Sequence, residues 1–219
     1  MWCIGILNEE YRRRMYGLLH LYRRPFRPQE PVICLDEKSK QLVRDARRPL
    51  QPKPGAMAKQ DYEYVRAGTC NLFVAVEPKG GRRTVVVTKR RTKPDFVAFV
   101  RYLLQKVYAK ARRVHLVLDN LNTHFPSTFE EVLGKKAARN LLRRVVFHHT
   151  PKHASWLNMA EIEIGILDRQ CLDRRLTSIE ELSREVDAWQ GRRNAERHGI
   201  KWTFTRQQAD RLMSRHYVS

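Results

Sequence analysis

The 219-residue sequence predicts an α/β fold: a mixed sheet flanked by helices, with a helical extension at its C-terminal end. Three observations predict it. Residues 31–36 and 114–119 are near-continuous apolar runs of strand length, the pattern of strands covered on both faces, and each stops at an aspartate. Residues 71–77 and 83–89 are rich in β-branched side chains around Gly80 and Gly81, and read as a hairpin. From Asp95 onward helical and strand patterns alternate, which favours an α/β domain over a helical bundle.

Each element has its own signal. Residues 8–22 carry an apolar stripe of Tyr11, Met15, Leu18, Leu19 and Tyr22, and Pro25 and Pro28 end that helix. After the first strand, Pro49, Pro52 and Pro54 predict an irregular loop over 47–55. Residues 95–109 form an amphipathic helix with Phe96, Phe99, Val100, Leu103 and Val107 on one face. A helix over 128–142 and a strand over 144–148 follow the strand that ends at Asp119. Ser155 is a good N-cap and Pro151 keeps the preceding chain extended, so a helix is expected from about Trp156 towards Cys171. Trp156 reads as a packing anchor at its start. Beyond Arg175, Ser178 and Glu181 form a capping box ahead of Leu182, Val186 and Trp189, and Gly199 breaks that helix. A last helix spans 205–217, capped by Thr205, with Ala209, Leu212 and Met213 facing inward.

The helix after Ser155 places one carboxylate at a chosen angle. At 100° per residue Leu157, Ala160, Ile164, Leu167 and Cys171 share a face, and Glu161 lies at its edge, roughly 40° from Leu157. Glu163 points about 160° away from Glu161. Glu161 is therefore aimed at whatever the helix packs on, and Glu163 away from it. If the strands ending at Asp36 and Asp119 are neighbours, both carboxylates emerge at one sheet edge and the helix adds the third. Glu37 points to the opposite sheet face by strand alternation. Three converging carboxylates repel one another unless cations lie between them. Mg2+ suits such a site, because it takes oxygen ligands and leaves room for water and phosphate. Two such ions assist an in-line displacement at phosphorus. The plainer alternative makes each Asp a turn residue and Glu161 a solvated one.

Composition points to the same partner class. The chain has 43 Lys and Arg against 23 Asp and Glu, a formal charge of +20, which implies a polyanion such as nucleic acid unless the cations merely solvate helix faces. Arg12, Arg13 and Arg14, and the Arg-rich C-terminal helices, are candidate phosphate contacts. No apolar run spans a bilayer and no signal-peptide pattern opens the chain, so a cytoplasmic protein with no membrane partner is expected. Cys3, Cys34, Cys70 and Cys171 show no paired spacing, which speaks against a disulfide framework or a zinc ribbon. His148, His149 and His153 match no compact zinc pattern, and His149 or His153 is a candidate phosphate contact. His124, five residues after Asp119, is either a supporting hydrogen-bond partner or a structural loop residue.

Leu35-Asp36-Glu37-Lys38-Ser39, residues 62–69, Leu118-Asp119-Asn120-Leu121-Asn122-Thr123-His124, residues 152–163 and residues 168–175, in that order, closely resemble bacterial insertion-sequence transposases of the mariner-related DDE superfamily. The resemblance implies a ribonuclease H-like catalytic domain over 31–175, a helical lead-in over 1–30 and a C-terminal extension over 176–219. It implies Asp36, Asp119 and Glu161 as catalytic residues and metal ligands, with Asn120 and Lys152 in support. Mg2+ is the implied cofactor, Mn2+ its substitute, and two ions the implied number. The implied activity is DNA cleavage and strand transfer, as in DNA transposition and recombination. Transposon ends and target DNA are the implied partners, bound by a homo-oligomer. Between Asp119 and Glu161 lie 41 residues, more than in most mariner relatives, and the extra length is expected in 125–140. Family members carry helix-turn-helix modules before the first catalytic strand, whereas a short lead-in precedes Pro31 here, so a separate helix-turn-helix subunit is an expected partner. The alternative function is a catalytically silent, truncated remnant that only binds DNA or supports oligomerisation.

Overall fold

A computed structural model describes residues 7–47, 54–55 and 62–217. Cys3 and most of the expected 47–55 loop, including Pro49 and Pro52, lie outside the described residues. The sheet has five strands, β1 (Val32–Asp45), β2 (Tyr64–Glu77), β3 (Arg82–Thr88), β4 (Val114–Leu118) and β5 (Val145–His149), in the order β3-β2-β1-β4-β5. The β1, β2 and β3 ladders are antiparallel, and β1, β4 and β5 run parallel. A mixed sheet results, as expected. The first strand does not stop at Asp36. It continues to Asp45 against β2, while its pairing with β4 covers Val32 to Cys34. The apolar run marked only the part of β1 that both neighbours and both helical layers cover.

Strand alternation divides the core between two faces. Ile33 and Leu35 of β1 and Phe73 of β2 pack with Leu116 and Leu118 of β4 against α2 (Lys93–Tyr102), α3 (Pro126–Leu133) and α4 (Lys135–Leu142). Cys34 and Val117 face α1 (Glu9–Arg23), together with Leu157, Met159 and Ala160. Leu72, Val74 and Val85 face α5 (Ala160–Leu167) and α6 (Ile179–Glu196), where Trp189 is buried. Ala209 of α7 (Arg206–Met213) joins the α1 cluster. Cys34, Cys70 and Cys171 are buried and free. Among the described residues, no helix is long and apolar enough to cross a membrane.

Several helix boundaries differ from expectation for local reasons. The helix expected over 95–109 starts at a Thr92/Asp95 capping box and passes at Leu103 into a π turn. The helix expected over 128–142 is two helices, because Gly134 adopts φ 78° and ψ 154°, a conformation reserved for glycine. Ser155 does not cap the following long helix. Ser155–Leu157 is a single 3-10 turn, and Asn158, extended at φ −86° and ψ 109°, separates it from α5. The capping role passes to Asn158, whose Oδ1 accepts the Ala160 N–H at 3.2 Å. At the far end of α6, left-handed Arg197 (φ 51°) terminates the helix ahead of Gly199. Leu212, expected inside, is exposed, whereas Ala209 is buried and Met213 packs half-buried against the same cluster.

Glu163 is the largest departure. The helical wheel turned it away from the packing surface, yet both it and Arg83 are fully buried. Arg83 grips it through Nε at 2.8 Å and Nη2 at 3.2 Å, and Arg193 of α6 approaches the same carboxylate at 3.4 Å. The wheel failed because α5 is covered on two sides, by the sheet and by α6. A helix with two covered sides has no single polar face.

Candidate active site

Asp36 and Asp119 reach one place because β1 and β4 are parallel neighbours. Cys34 lies opposite Val117, and two residues further along each strand stand the two aspartates on the α1 and α5 face. Asp36 is nearly buried. Its Oδ1 accepts the Glu37 N–H at 2.8 Å and its Oδ2 accepts the Asn158 amide at 3.2 Å. Burial pushes its carboxyl up to about 7, and the charges of Glu161, Asp119 and Glu37 add to that rise against the Glu37 N–H bond. Glu161, in the first turn of α5, is exposed and not turned into the packing surface as the helical wheel required, and its charge acts on Asp36 across the mouth of the site. Among the described residues, no three His, Cys, Asp or Glu side chains already converge closely enough to hold one ion. The three carboxylates are coupled through charge, with the mouth open on the Glu161 side.

Asp119 is a third exposed and differently supported. Burial raises its carboxyl, but the bonds from His124 and from the Leu121 N–H, with the charges of His124 and His149, outweigh burial and hold it below the usual range. His124 is fully buried between two carboxylates, with Nδ1 at 2.6 Å from Asp119 and Nε2 at 2.8 Å from Glu37. Burial opposes its charge, yet the two bonds and the two charges hold its pKa up at about 9, so it is an imidazolium. Phe96 packs on the ring, with centroids 4.7 Å apart. Glu37 does face away from Asp36, as alternation required, and there it anchors His124. The histidine thus ties the end of β4 to the opposite face of β1.

Asn120 does not touch the carboxylates. Its amide donates to the Thr150 carbonyl at 2.8 Å and its Oδ1 accepts from Arg14 at 2.9 Å, which joins α1 to the chain after β4. Arg14 is thereby a structural cation, also paired with Glu10 at 2.7 Å. Lys152 is exposed in the loop after β5, next to His153, whose φ is 60°. His149 turns inward to the His124 carbonyl at 3.0 Å and stacks on Phe125, and burial lowers its pKa, so its ring is engaged inside the fold. His148 pairs with His115 at 2.9 Å. Trp156 packs against Trp202 and Phe204, the anchor role expected of it.

Two contributors escaped sequence reasoning. Asn158 bonds the Leu35 carbonyl at 2.9 Å as well as Asp36, and so clamps the start of α5 to β1. An asparagine three residues before Glu161 is a capping signal that was available. The Glu37 and His124 pair was not, since 87 residues separate its members.

Comparisons with known proteins bear on the family and the fold. The sequence model of the DDE superfamily endonuclease family matches residues 31–183. A search of the curated proteins found no match. Among solved structures, the Mos1 mariner paired end complex with Mn is 18% identical, with a TM-score of 0.56, over 99% of this chain and 63% of that one. The Mos1 Strand Transfer Complex is 18% identical, with a TM-score of 0.57, over 90% and 60%. The mariner Mos1 paired end complex with Mg is 17% identical, with a TM-score of 0.53, over 100% and 66%. The chain therefore spans about three-fifths of the length of the first of these transposases and shares their fold. With a family match across residues 31–183, most of its length, the chain belongs to the DDE superfamily endonuclease family.

Proposed function

We propose that this chain is the catalytic part of a transposase, cutting DNA and joining strands with a divalent metal. In this proposal residues 31–175 are the catalytic domain, 1–30 its lead-in and 176–219 an integral extension. Asp36, Asp119 and Glu161 are the catalytic carboxylates. The protein acts in the cytoplasm as a homo-oligomer on transposon ends and target DNA. The observation that carries the proposal is that parallel β1 and β4 bring Asp36 and Asp119 out at one end of the sheet, where Asn158 bonds Asp36 at the start of the helix that bears Glu161, in a chain of an endonuclease family.

That donor set fits Mg2+ or Mn2+. It offers carboxylate oxygens only, and the crowded negative charge at Asp36 is what a hard cation relieves. Two ions held by these carboxylates would supply Lewis-acid stabilisation to an in-line displacement at phosphorus. The remaining work falls to the chain. His124 and the Leu121 N–H keep Asp119 ionised and aimed. Asn158 fixes Asp36 and the first turn of α5, and so the direction of Glu161. Asn120 and Lys152 support the site less directly, Asn120 through the Thr150 loop and Lys152 as an exposed cation beside it.

The proposal is tested by amide substitutions. Asp36→Asn, Asp119→Asn and Glu161→Gln should each lower metal-dependent cleavage of a labelled duplex by roughly 10²-fold or more, with duplex binding retained. Lys152→Ala should change it by less than about tenfold. Cleavage surviving in any of the three amide variants removes that residue from the catalytic set.

A further inference from the structure

The ends of β4 and β5 opposite the carboxylates carry a second concentration of charge. Arg113 and Arg144 immediately precede β4 and β5, and the pairing of Val114 with Val145 sets the two arginines side by side. Their backbone is fixed. The Val114 N–H donates to the Arg144 carbonyl at 2.8 Å, and the N–H groups of Arg112 and Arg113 both donate to the Gln29 carbonyl, at 2.8 and 3.1 Å. Arg112, Arg113, Arg143 and Arg144 line an open cavity of about 560 Å³ with Ala109 and Ala111.

Two of these four cations are used inside the fold. Arg144 donates to the carbonyls of Leu104, Tyr108, Ala109 and Ala111. Arg112 pairs with Glu30 at 2.8 Å. Arg113 and Arg143 are exposed, and among the described residues neither side chain has an ion pair or hydrogen bond. Some surface cations elsewhere are matched, as Lys38 is by Asp168, Lys93 by Glu131 and Arg174 by Glu185. The sequence withholds that matching here. No Asp or Glu occurs over 96–118, which holds five Lys and Arg, or over 132–160, which holds six. Like charges on neighbouring strands repel, so the arrangement lowers stability until an anion occupies it. Guanidinium forks on fixed backbone suit phosphate oxygens.

Direction decides which phosphate. β4 runs from Arg113 at one end to Asp119 at the other, five strand residues or about 16 Å, so the cations and the carboxylates face opposite ways. A DNA duplex is stiff, with a persistence length of about 150 base pairs, and one lying across the carboxylates does not bend round to the other end. We infer that the Arg113 and Arg143 end binds the phosphate backbone of a second DNA duplex while the first lies at the carboxylates. The inference rests on the nucleic-acid function proposed above and adds a second, non-catalytic surface to it.

The test holds the whole chain on an immobilised short duplex in Mg2+ and measures capture of a second, labelled duplex from solution. The wild-type chain captures it. Arg113→Glu with Arg143→Glu captures at least about tenfold less, with nicking unchanged and thermal unfolding at the same or a higher temperature. If charge reversal unfolds the chain, the Arg113→Gln and Arg143→Gln pair replaces it and captures severalfold less. Equal capture by wild type and a folded variant overturns the inference. Displacement by inorganic phosphate as effective as by unlabelled duplex at equal phosphate concentration also overturns it, since the ligand is then a small anion. Nicking in the same samples separates the two proposals. Capture as expected without any wild-type nicking contradicts the chemistry and leaves this surface standing. Normal nicking with equal capture does the reverse.

Discussion

At the residue scale the site is a problem of like charges solved unequally. Asp119 has an imidazolium against it, and Asp36 has only an amide and a backbone N–H. Because the Asp36 carboxyl sits near pH 7 without a cation, binding of a cation must displace its proton. The Mg2+ concentration giving half-maximal nicking should therefore fall up to about tenfold per pH unit between pH 5 and 7, then level off. A Mg2+ titration of nicking at each pH checks this, and a flat dependence contradicts it. For His124 the consequence is on fold stability. Its folded pKa, about 9, lies above the ordinary 6.5, so its contribution to stability is complete below 6.5 and is lost as pH rises through 9. Urea midpoints should fall over that window. His124→Ala should cost roughly 3–5 kcal/mol at pH 7, because it strands buried Glu37. The positions of Asp36 and Asp119 were legible because apolar runs end beside them. The importance of His124 was not, because its second partner lies in another strand.

At the element scale α5 is held from both sides. Asn158 clamps its first turn to β1, and Glu163 locks it to Arg83 of β3 and Arg193 of α6. Glu163→Gln leaves two arginines facing a neutral amide and should destabilise the fold by about 3–5 kcal/mol in urea unfolding. A loss under about 1 kcal/mol would show that the buried pair does little. Gly134 makes a smaller claim. No atom lies within 4 Å of an added Cβ, so Gly134→Ala pays only for its backbone conformation, about 1–3 kcal/mol by thermal unfolding. Hydrophobic period located α1, α2 and α6, since each has one covered face, and β-branched composition located the hairpin strands, of which β2 is covered on both. It failed at α5, which is covered twice, and at Gly134, where one residue's torsion divides a continuous pattern.

At the scale of the whole molecule the topology joins sites that the sequence keeps apart. The strand order β3-β2-β1-β4-β5 follows from no local signal, but two apolar runs ending in aspartate mark β1 and β4 as covered central strands. The net charge of +20 was legible at once. Its distribution was not, because only the parallel register brings Arg113 beside Arg144 and sets both at the far end of β4 from Asp119. If about six or more phosphates are contacted, duplex affinity should drop at least roughly 10³-fold between 50 and 200 mM salt. Filter binding measures that slope, and a shallow one excludes broad backbone contact. The central claim is most directly tested by nicking of supercoiled plasmid with the purified chain in Mg2+ or Mn2+, beside EDTA and Asp119→Asn controls. Metal-dependent nicking that disappears in both controls is the predicted result. Equal nicking by Asp119→Asn, or none by the wild-type chain while it binds the plasmid, contradicts it.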